Sequence, residues 1–213
     1  MRGKSAASMW RSRVVSPKKK TNALLILLLV VAMTSGCGSE AEESRAELQK
    51  DGSVKSVISA SFDKPDYDID ELQQMVLEES ATYNRSVGDN AISVEKVSEK
   101  NGTASVKMTY KSAADYAAFN DGIFFVGSPK EAEEEGYNLN KVLSGTKNPL
   151  ETVGGADILA MDSDVKILIT DMKDPVVLDG KALYTSDNVQ TDKKYKTVTL
   201  KEESGEPAYI IYK

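Results

Sequence analysis

The chain has 213 residues, with 33 Asp/Glu against 27 Lys/Arg, no His and one Cys. The missing His removes the usual proton-transfer group near neutral pH, and with it serine–histidine triads and His-ligated metals. A lone Cys excludes an internal disulfide, and the length bounds the folded part to one domain or a little more.

Residues 1–36 carry seven of the Lys/Arg (Arg2, Lys4, Arg11, Arg13, Lys18, Lys19, Lys20) and no acid. An apolar run of 11 residues, 23–33, leads into Thr34-Ser35-Gly36-Cys37. Positive charge ahead of an apolar run is held on the cytoplasmic side, so the remainder of the chain is translocated. The run is short of the roughly 20 residues of a membrane-spanning helix and fits the apolar core of a signal segment. This order resembles the lipobox signal of bacterial membrane lipoproteins. Ser35 and Gly36 stand at their usual places, and Thr34 stands where Leu, Val or Ile is usual. The resemblance implies cleavage between Gly36 and Cys37 and lipidation of Cys37. It also implies anchorage at the cell membrane on its extracellular face, as in small lipoproteins of Gram-positive bacteria. Two acyl chains, at about 0.8 kcal/mol per buried CH₂, anchor stably where one is marginal. An ordinary secretory signal or an uncleaved anchor is the alternative.

From Cys37 onward 20 Lys/Arg face all 33 Asp/Glu, a net charge of −13 over 177 residues. A balance this acidic argues against nucleic acid and anionic headgroups as partners, and leaves the membrane to be reached through the lipid anchor. Residues 37–52 read as the lipidated Cys and a flexible polar tether, partly helical at most, and 53–213 as a single extracytoplasmic domain.

Within that domain, Val54, Ser56, Ile58, Ala60 and Phe62 alternate with polar residues and predict a half-buried strand. Ile69, Leu72, Met75, Val76 and Tyr83 predict a helix over 68–83, with Asp68 and Glu71 as its capping pair. Ile92 and Val94 precede Lys100-Asn101-Gly102, and Ala104, Val106, Met108 and Tyr110 come after it. A two-residue Asn-Gly turn would set Val94 opposite Thr109. A three-residue loop with a bulge at Gly102 sets Val94 opposite Met108 and Ile92 opposite Tyr110, and burial of one face favours it. Ser112 and Asp115 open a helix over 113–120 that Gly122 ends, and a short strand occupies 123–126. Ser128-Pro129 starts a helical turn closed by Gly136. Residues 137–155 read as loop. Val165, Ile167 and Ile169 alternate as a strand. Two hairpins are expected to close the chain, one turning at Asp179-Gly180 and one at 203–206. The fold class is α+β, with the ferredoxin-like order β-α-β-β-α-β followed by C-terminal β-hairpins.

Candidate chemistry is sparse. Asp63, Asp66, Asp68, Asp70 and Glu71 suggest a calcium loop. Counting from Asp66, however, the sixth position is Glu71 rather than Gly and the twelfth is Leu77 rather than Glu, so acids at a helix N-terminus explain them better. Asp162-Ser163-Asp164 and the acids between 171 and 174 read as turn chemistry. Ser61/Lys64, Ser93/Lys96 and Ser144/Lys147 each fit S-x-x-K, and Ser186-Asp187-Asn188 spells S-D-N. Three matches in one small chain show how common that spacing is, and K-T-G is missing. Phe124, Phe125, Tyr209 and Tyr212 read as core aromatics. No catalytic residue, cofactor or metal is expected. The expectation is a non-enzymatic binding or interaction module for an unknown envelope protein, polymer or small ligand. The rivals are a hydrolase using carboxylates or a Ser-Lys pair, and an accessory subunit of a membrane complex.

Overall fold

The computed structural model describes residues 42–64, 67–201 and 205–213. Among these, thirteen strands form two sheets, accompanied by four helices. Sheet A contains β1 (Arg45–Leu48), β2 (Val54–Ser61), β3 (Ile92–Lys100), β4 (Thr103–Tyr110), β9 (Val176–Val177), β11 (Val189–Thr191) and β12 (Thr197–Leu200), in the order β11-β12-β9-β1-β2-β4-β3. Sheet B contains β5 (Phe124–Gly127), β6 (Leu143–Gly145), β7 (Thr152–Val153), β8 (Lys166–Thr170), β10 (Ala182–Thr185) and β13 (Ala208–Tyr212), in the order β5-β8-β13-β10-β6-β7. The helices are α1 (Ile69–Val87), α2 (Ala113–Asn120), α3 (Pro129–Glu134) and α4 (Gly155–Leu159). The class is α+β.

The first half of the expected order is present. β2 and β3 run parallel with β4 between them, antiparallel to both, and α1 connects them. The second half departs from the ferredoxin-like order, because β5 joins sheet B and the place beside β2 is taken by β1. Residues 45–48, expected in the tether, are instead a strand. Ala46 and Leu48 are buried while Arg45 and Glu47 alternate with them on the other face. β1 pairs antiparallel with β2 and parallel with β9, and Ala46 N–H donates to Pro175 O at 2.9 Å. Four residues in a charged stretch give too short a run for period two to stand out.

The β3–β4 hairpin reconciles the two registers weighed from sequence. Lys100 pairs with Thr103 across a two-residue turn, with Asn101 at φ 54° and Gly102 at φ 72°. Both central residues at positive φ mark the I′ turn, so the expected three-residue loop is not formed. The register nevertheless shifts between Val94 and Lys96, leaving Glu95 as a bulge, and beyond it Val94 faces Met108 and Ile92 faces Tyr110 as expected. Burial of one face does fix the far register, and the extra residue is absorbed inside the strand rather than at its tip.

Capping agrees closely with the sequence. The Asp68 carboxylate accepts from Asp70 N–H at 2.7 Å and from Glu71 N–H, Ser112 Oγ accepts from Asp115 N–H, and Ser128 and Glu131 form a reciprocal capping box. At the end of α2 the left-handed residue is Asp121 (φ 55°), not Gly122. α1 runs four residues past its expected end at 83, and there the Asn84 side chain donates to Ile92 O and accepts from Ile92 N–H, docking the helix end on the start of β3.

The two C-terminal hairpins are not formed. β9 and β12 pair with each other in sheet A, while β10 and β13 pair in sheet B. Asp179-Gly180 is therefore a crossover between sheets. A Cβ at Gly180 would lie 2.5 Å from the backbone carbonyl of Lys213, so only glycine fits that approach. The hairpin formed in this last third is β11–β12, and the stretch read as loop contains β6, β7 and α4.

One apolar cluster fills the space enclosed by the inner face of sheet A, α1, α2 and one face of sheet B, and a second lies behind sheet B. β8 and β13 contribute to both. Leu168 and Ile210 belong to the first cluster, while Ile167, Ile169 and Ile211 belong to the second. Burial on both faces is why their sequences, KILIT and AYIIY, are nearly continuous apolar runs. Aromatic edges join the layers: Tyr110 on β4 meets Tyr116 on α2 at 5.0 Å between centroids, and Tyr116 meets Phe124 on β5 at 4.6 Å.

Two outcomes test this fold. Gly102→Val forces a β-branched residue to positive φ and is expected to destabilise by about 1–2 kcal/mol or more, whereas Asn101→Gly stays within about 0.5 kcal/mol. Denaturant midpoints measure both, and an unchanged midpoint for Gly102→Val contradicts the turn. Burial raises the Tyr110 phenol to about 12, and burial with a hydrogen bond to Asp115 raises Tyr83 to about 12, from 10.0. The folded state then holds these protons more tightly than the unfolded state. The stability they contribute is complete below pH 10 and falls as pH rises towards 12. Alkaline unfolding tracked beside tyrosinate absorbance reads this sign directly.

Candidate functional site

The face of sheet A turned away from the core is polar, and the strand registers arrange it in rows. Arg45, Val57, Lys107 and Lys96 stand in one line across β1, β2, β4 and β3. Flanking rows bring together Ser59, Ser105 and Ser98 on one side, and Glu47, Lys55, Thr109 and Ser93 on the other. Their outward direction is set by alternation, since Val106, Met108, Ala46 and Val54 are buried in the core. Val57 belongs to neither apolar cluster and is still only 7% exposed; long Lys and Arg stems are suited to covering such a side chain.

Lys107 and Lys96 stand directly opposite one another, an unfavourable pairing on its own. The Glu42 carboxylate answers it, lying 2.5 Å from Lys107 Nζ. That hydrogen bond, joined by the charges of Lys107, Arg45 and Lys96 and opposed by desolvation, holds the Glu42 carboxyl below the usual range. Arg45 Nε also donates to Glu47 at 2.6 Å, and the Thr109 hydroxyl donates to Glu95. The arrangement is a cation row with hydroxyl donors beside it. Sequence reading misses these residues because each looks like an ordinary polar position of a strand. The available signal is that the outward positions of the segments forming β2 and β4 hold Lys, Ser, Thr and Val and no acid.

The residues singled out from sequence are scattered. Gly36 and Cys37 lie outside the described residues, as does Asp66. Asp63 accepts from Ser61 Oγ at 2.9 Å, and Asp68, Asp70 and Glu71 form the capped start of α1. Asp164 pairs with Lys213, and Asp171 accepts from Ile123 N–H at 2.7 Å. Burial raises the carboxyl of Asp174, which borders a narrow gap between the sheets lined by Thr170, Val176, Val198, Leu200 and Ile210. Among the described residues no group of three or more acids, His or Cys is placed to hold a metal, and no helix is long and apolar enough to cross a membrane.

The S-D-N segment is a staple. Ser186 Oγ accepts from Tyr209 N–H at 2.9 Å and donates to Asn188 Oδ1, and Asn188 Nδ2 donates to Glu206 O at 3.0 Å. The segment thereby holds the turn after β10 against the start of β13. Ser93 and Lys96 are exposed on β3 with the bulge between them, and Ser144 lies in β6. Of the aromatics, Phe124 and Tyr212 are in the first apolar cluster, and Phe125 and Tyr209 in the second. Tyr212 also shares a corner with Asp179 and the partly exposed Lys166: Lys166 Nζ reaches Asp179 at 2.7 Å and sits 5.9 Å above the Tyr212 ring. Burial, then the Asp179 charge, push the Tyr212 phenol far above the ordinary tyrosine range, so it is neutral at physiological pH.

Ser186→Ala is expected to lower stability by about 1–3 kcal/mol, because the buried Tyr209 N–H loses its acceptor. Ser144→Ala serves as the milder comparison. A Ser186→Ala protein as stable as the parent contradicts the staple.

No protein family, curated protein or solved structure matches the chain.

Proposed function

We propose that the chain is a lipid-anchored lipoprotein of the cell membrane. Its domain is held at the extracellular face as a non-enzymatic interaction module for an envelope protein, polymer or small ligand. The observation that carries this reading is the order of basic segment, apolar run 23–33 and Thr34-Ser35-Gly36-Cys37. The acidic balance after Cys37 fits a part kept at the membrane by acyl chains rather than by net charge. β1 begins at Arg45, eight residues beyond Cys37. At 3.3–3.6 Å per residue the chain between them spans at most about 29 Å, which keeps the domain close to the anchor.

Support for a non-enzymatic role comes from the use made of the polar groups. The S-D-N residues and the acids at 63 and 68 hold caps and turns, and the gap between the sheets is bordered by one carboxylate, Asp174. The alternatives are an accessory subunit of a membrane complex and a hydrolase using carboxylates or a Ser-Lys pair.

Cys37→Ser is expected to abolish fatty-acid labelling and to release the domain to the medium or leave an unprocessed precursor. A cleaved Cys37→Ser protein that stays on the membrane overturns the lipid anchor. A photo-crosslinker at Leu150, 93% exposed, then captures what the anchored domain touches in cells.

A further inference from the structure

We propose that the Asp174–Pro175 peptide bond is a self-cleavage site, cut in mildly acidic water by the Asp174 side chain, and that the two pieces of the cut chain stay assembled.

Asp174 and Pro175 are the one Asp-Pro pair in the sequence. They lie in the passage from β8 in sheet B to β9 in sheet A. Upstream, Asp171 is tied to Ile123 twice: its N–H donates to Ile123 O at 3.2 Å, and its side chain accepts from Ile123 N–H at 2.7 Å. Downstream, Pro175 O accepts from Ala46 N–H at 2.9 Å, and Val176 is paired with both Ala46 and Val198. Asp174 stands between these fixed points, half-buried at the border of the gap between the sheets.

The surroundings favour the protonated carboxyl. Thr170 of β8, Val189 of β11, Leu200 of β12 and Ile210 of β13 line the gap, and none is charged. Tyr116 of α2, a phenol kept neutral mainly by burial, is the ionisable group that feels the Asp174 charge. On its own segment Lys173 is exposed. Among the described residues no donor bonds the Asp174 carboxylate, and burial raises its carboxyl. The acid form therefore persists to a higher pH than in an exposed aspartate.

That acid form carries both the nucleophile and the proton. A side-chain oxygen of Asp174 attacks the carbonyl carbon of its own main chain and closes a five-membered cyclic anhydride. The bond from that carbon to the Pro175 nitrogen breaks. The carboxyl proton passes to this nitrogen, which leaves as a secondary amine. Proline suits the leaving role, because its doubly alkylated nitrogen takes a proton more readily than an ordinary peptide nitrogen and has no N–H bond to lose from the ladder. One water then opens the anhydride and leaves Asp174 as a C-terminal residue. The sum is hydrolysis of one peptide bond, with no oxidant or reductant.

The cut does not sever the fold. Three strand pairs cross it: β1 with β9, β6 with β10, and β8 with β13. The 39 residues from Pro175 onward therefore remain built into both sheets.

The test incubates the purified full chain from about pH 3 to about pH 7, beside a synthetic peptide of residues 170–180 as the unfolded reference. Mass spectrometry looks for Asp174 as a new C-terminus and Pro175 as a new N-terminus. The expected result is cleavage that is several-fold faster in the chain than in the peptide and that persists to higher pH. Asp174→Asn is expected to slow it by about a hundredfold, and Pro175→Ala, which keeps the carboxyl, by several-fold. Equal rates and pH dependence in chain and peptide overturn the proposal. So does a chain that stays intact where the peptide is cut, or an Asp174→Asn chain cut as fast as the parent. Gel filtration at neutral pH then reads the assembly. Co-elution of the two pieces upholds it, and separation overturns it while leaving the cleavage standing.

Discussion

The strand β1 is the constraint on which the rest of sheet A depends. It is only four residues long, yet it stands between β2 and β9 in the strand order and pairs with both. On one side stands β2-β4-β3, built from the first part of the domain; on the other stands β9-β12-β11, built from the last. Without β1 these would be two separate ribbons, each with an unpaired edge facing the other. Ala46 and Leu48 place apolar side chains in the core shared by the sheets, so the strand closes the hydrogen-bond ladder and the interior together.

The second organising element is the line of aromatic rings through α2. Tyr83, Phe119, Tyr110, Tyr116 and Phe124 come from α1, α2, β4 and β5, and each meets the next edge-on or tilted within 6 Å. Edge-to-face contacts of this kind add about 0.5–1.5 kcal/mol beyond area burial and have a preferred geometry. That geometry fixes how sheet B meets the split β-α-β unit. Because β5 leaves α2 towards sheet B, the fold is not a closed four-stranded layer. The chain instead builds a second sheet with apolar residues on both faces.

Legibility from sequence tracks the range of each interaction. Caps at Asp68, Ser112 and Ser128 involve residues two or three apart and are legible directly. The pairing of Ile92 with Tyr110 and Val94 with Met108 is also legible, because only one register buries both apolar rows. The turn itself is not, since a bulge at Glu95 shifts the count and nothing in Val94-Glu95-Lys96 announces it. The last third misleads for a related reason. Segments close in sequence around Asp179-Gly180 look like hairpin arms, yet the residues after Gly180 meet Lys213 and those before it meet Lys196. Choice of sheet is decided by burial on two faces, which one strand's pattern does not reveal. The cation row is hidden on the same ground, because Arg45, Lys107 and Lys96 are 62 and 11 residues apart in the chain and become a row only through β2 and β4.

The position of β13 bears on how the protein can be made. It is the last strand in chain order, and it lies between β8 and β10 in the interior of sheet B. Ala208, Ile210 and Tyr212 complete one apolar cluster, and Tyr209 and Ile211 the other. A chain emerging from its N-terminal end therefore exposes Phe124–Gly127 and Lys166–Thr170 well before their central partner arrives. Loops closed over such distances form slowly, and apolar strands waiting with open edges are the species most prone to associate with one another. The topology thus couples completion of both cores to the arrival of a single late segment. Until that moment the growing chain must rely on a holding factor, or on speed, to stay apart from its neighbours.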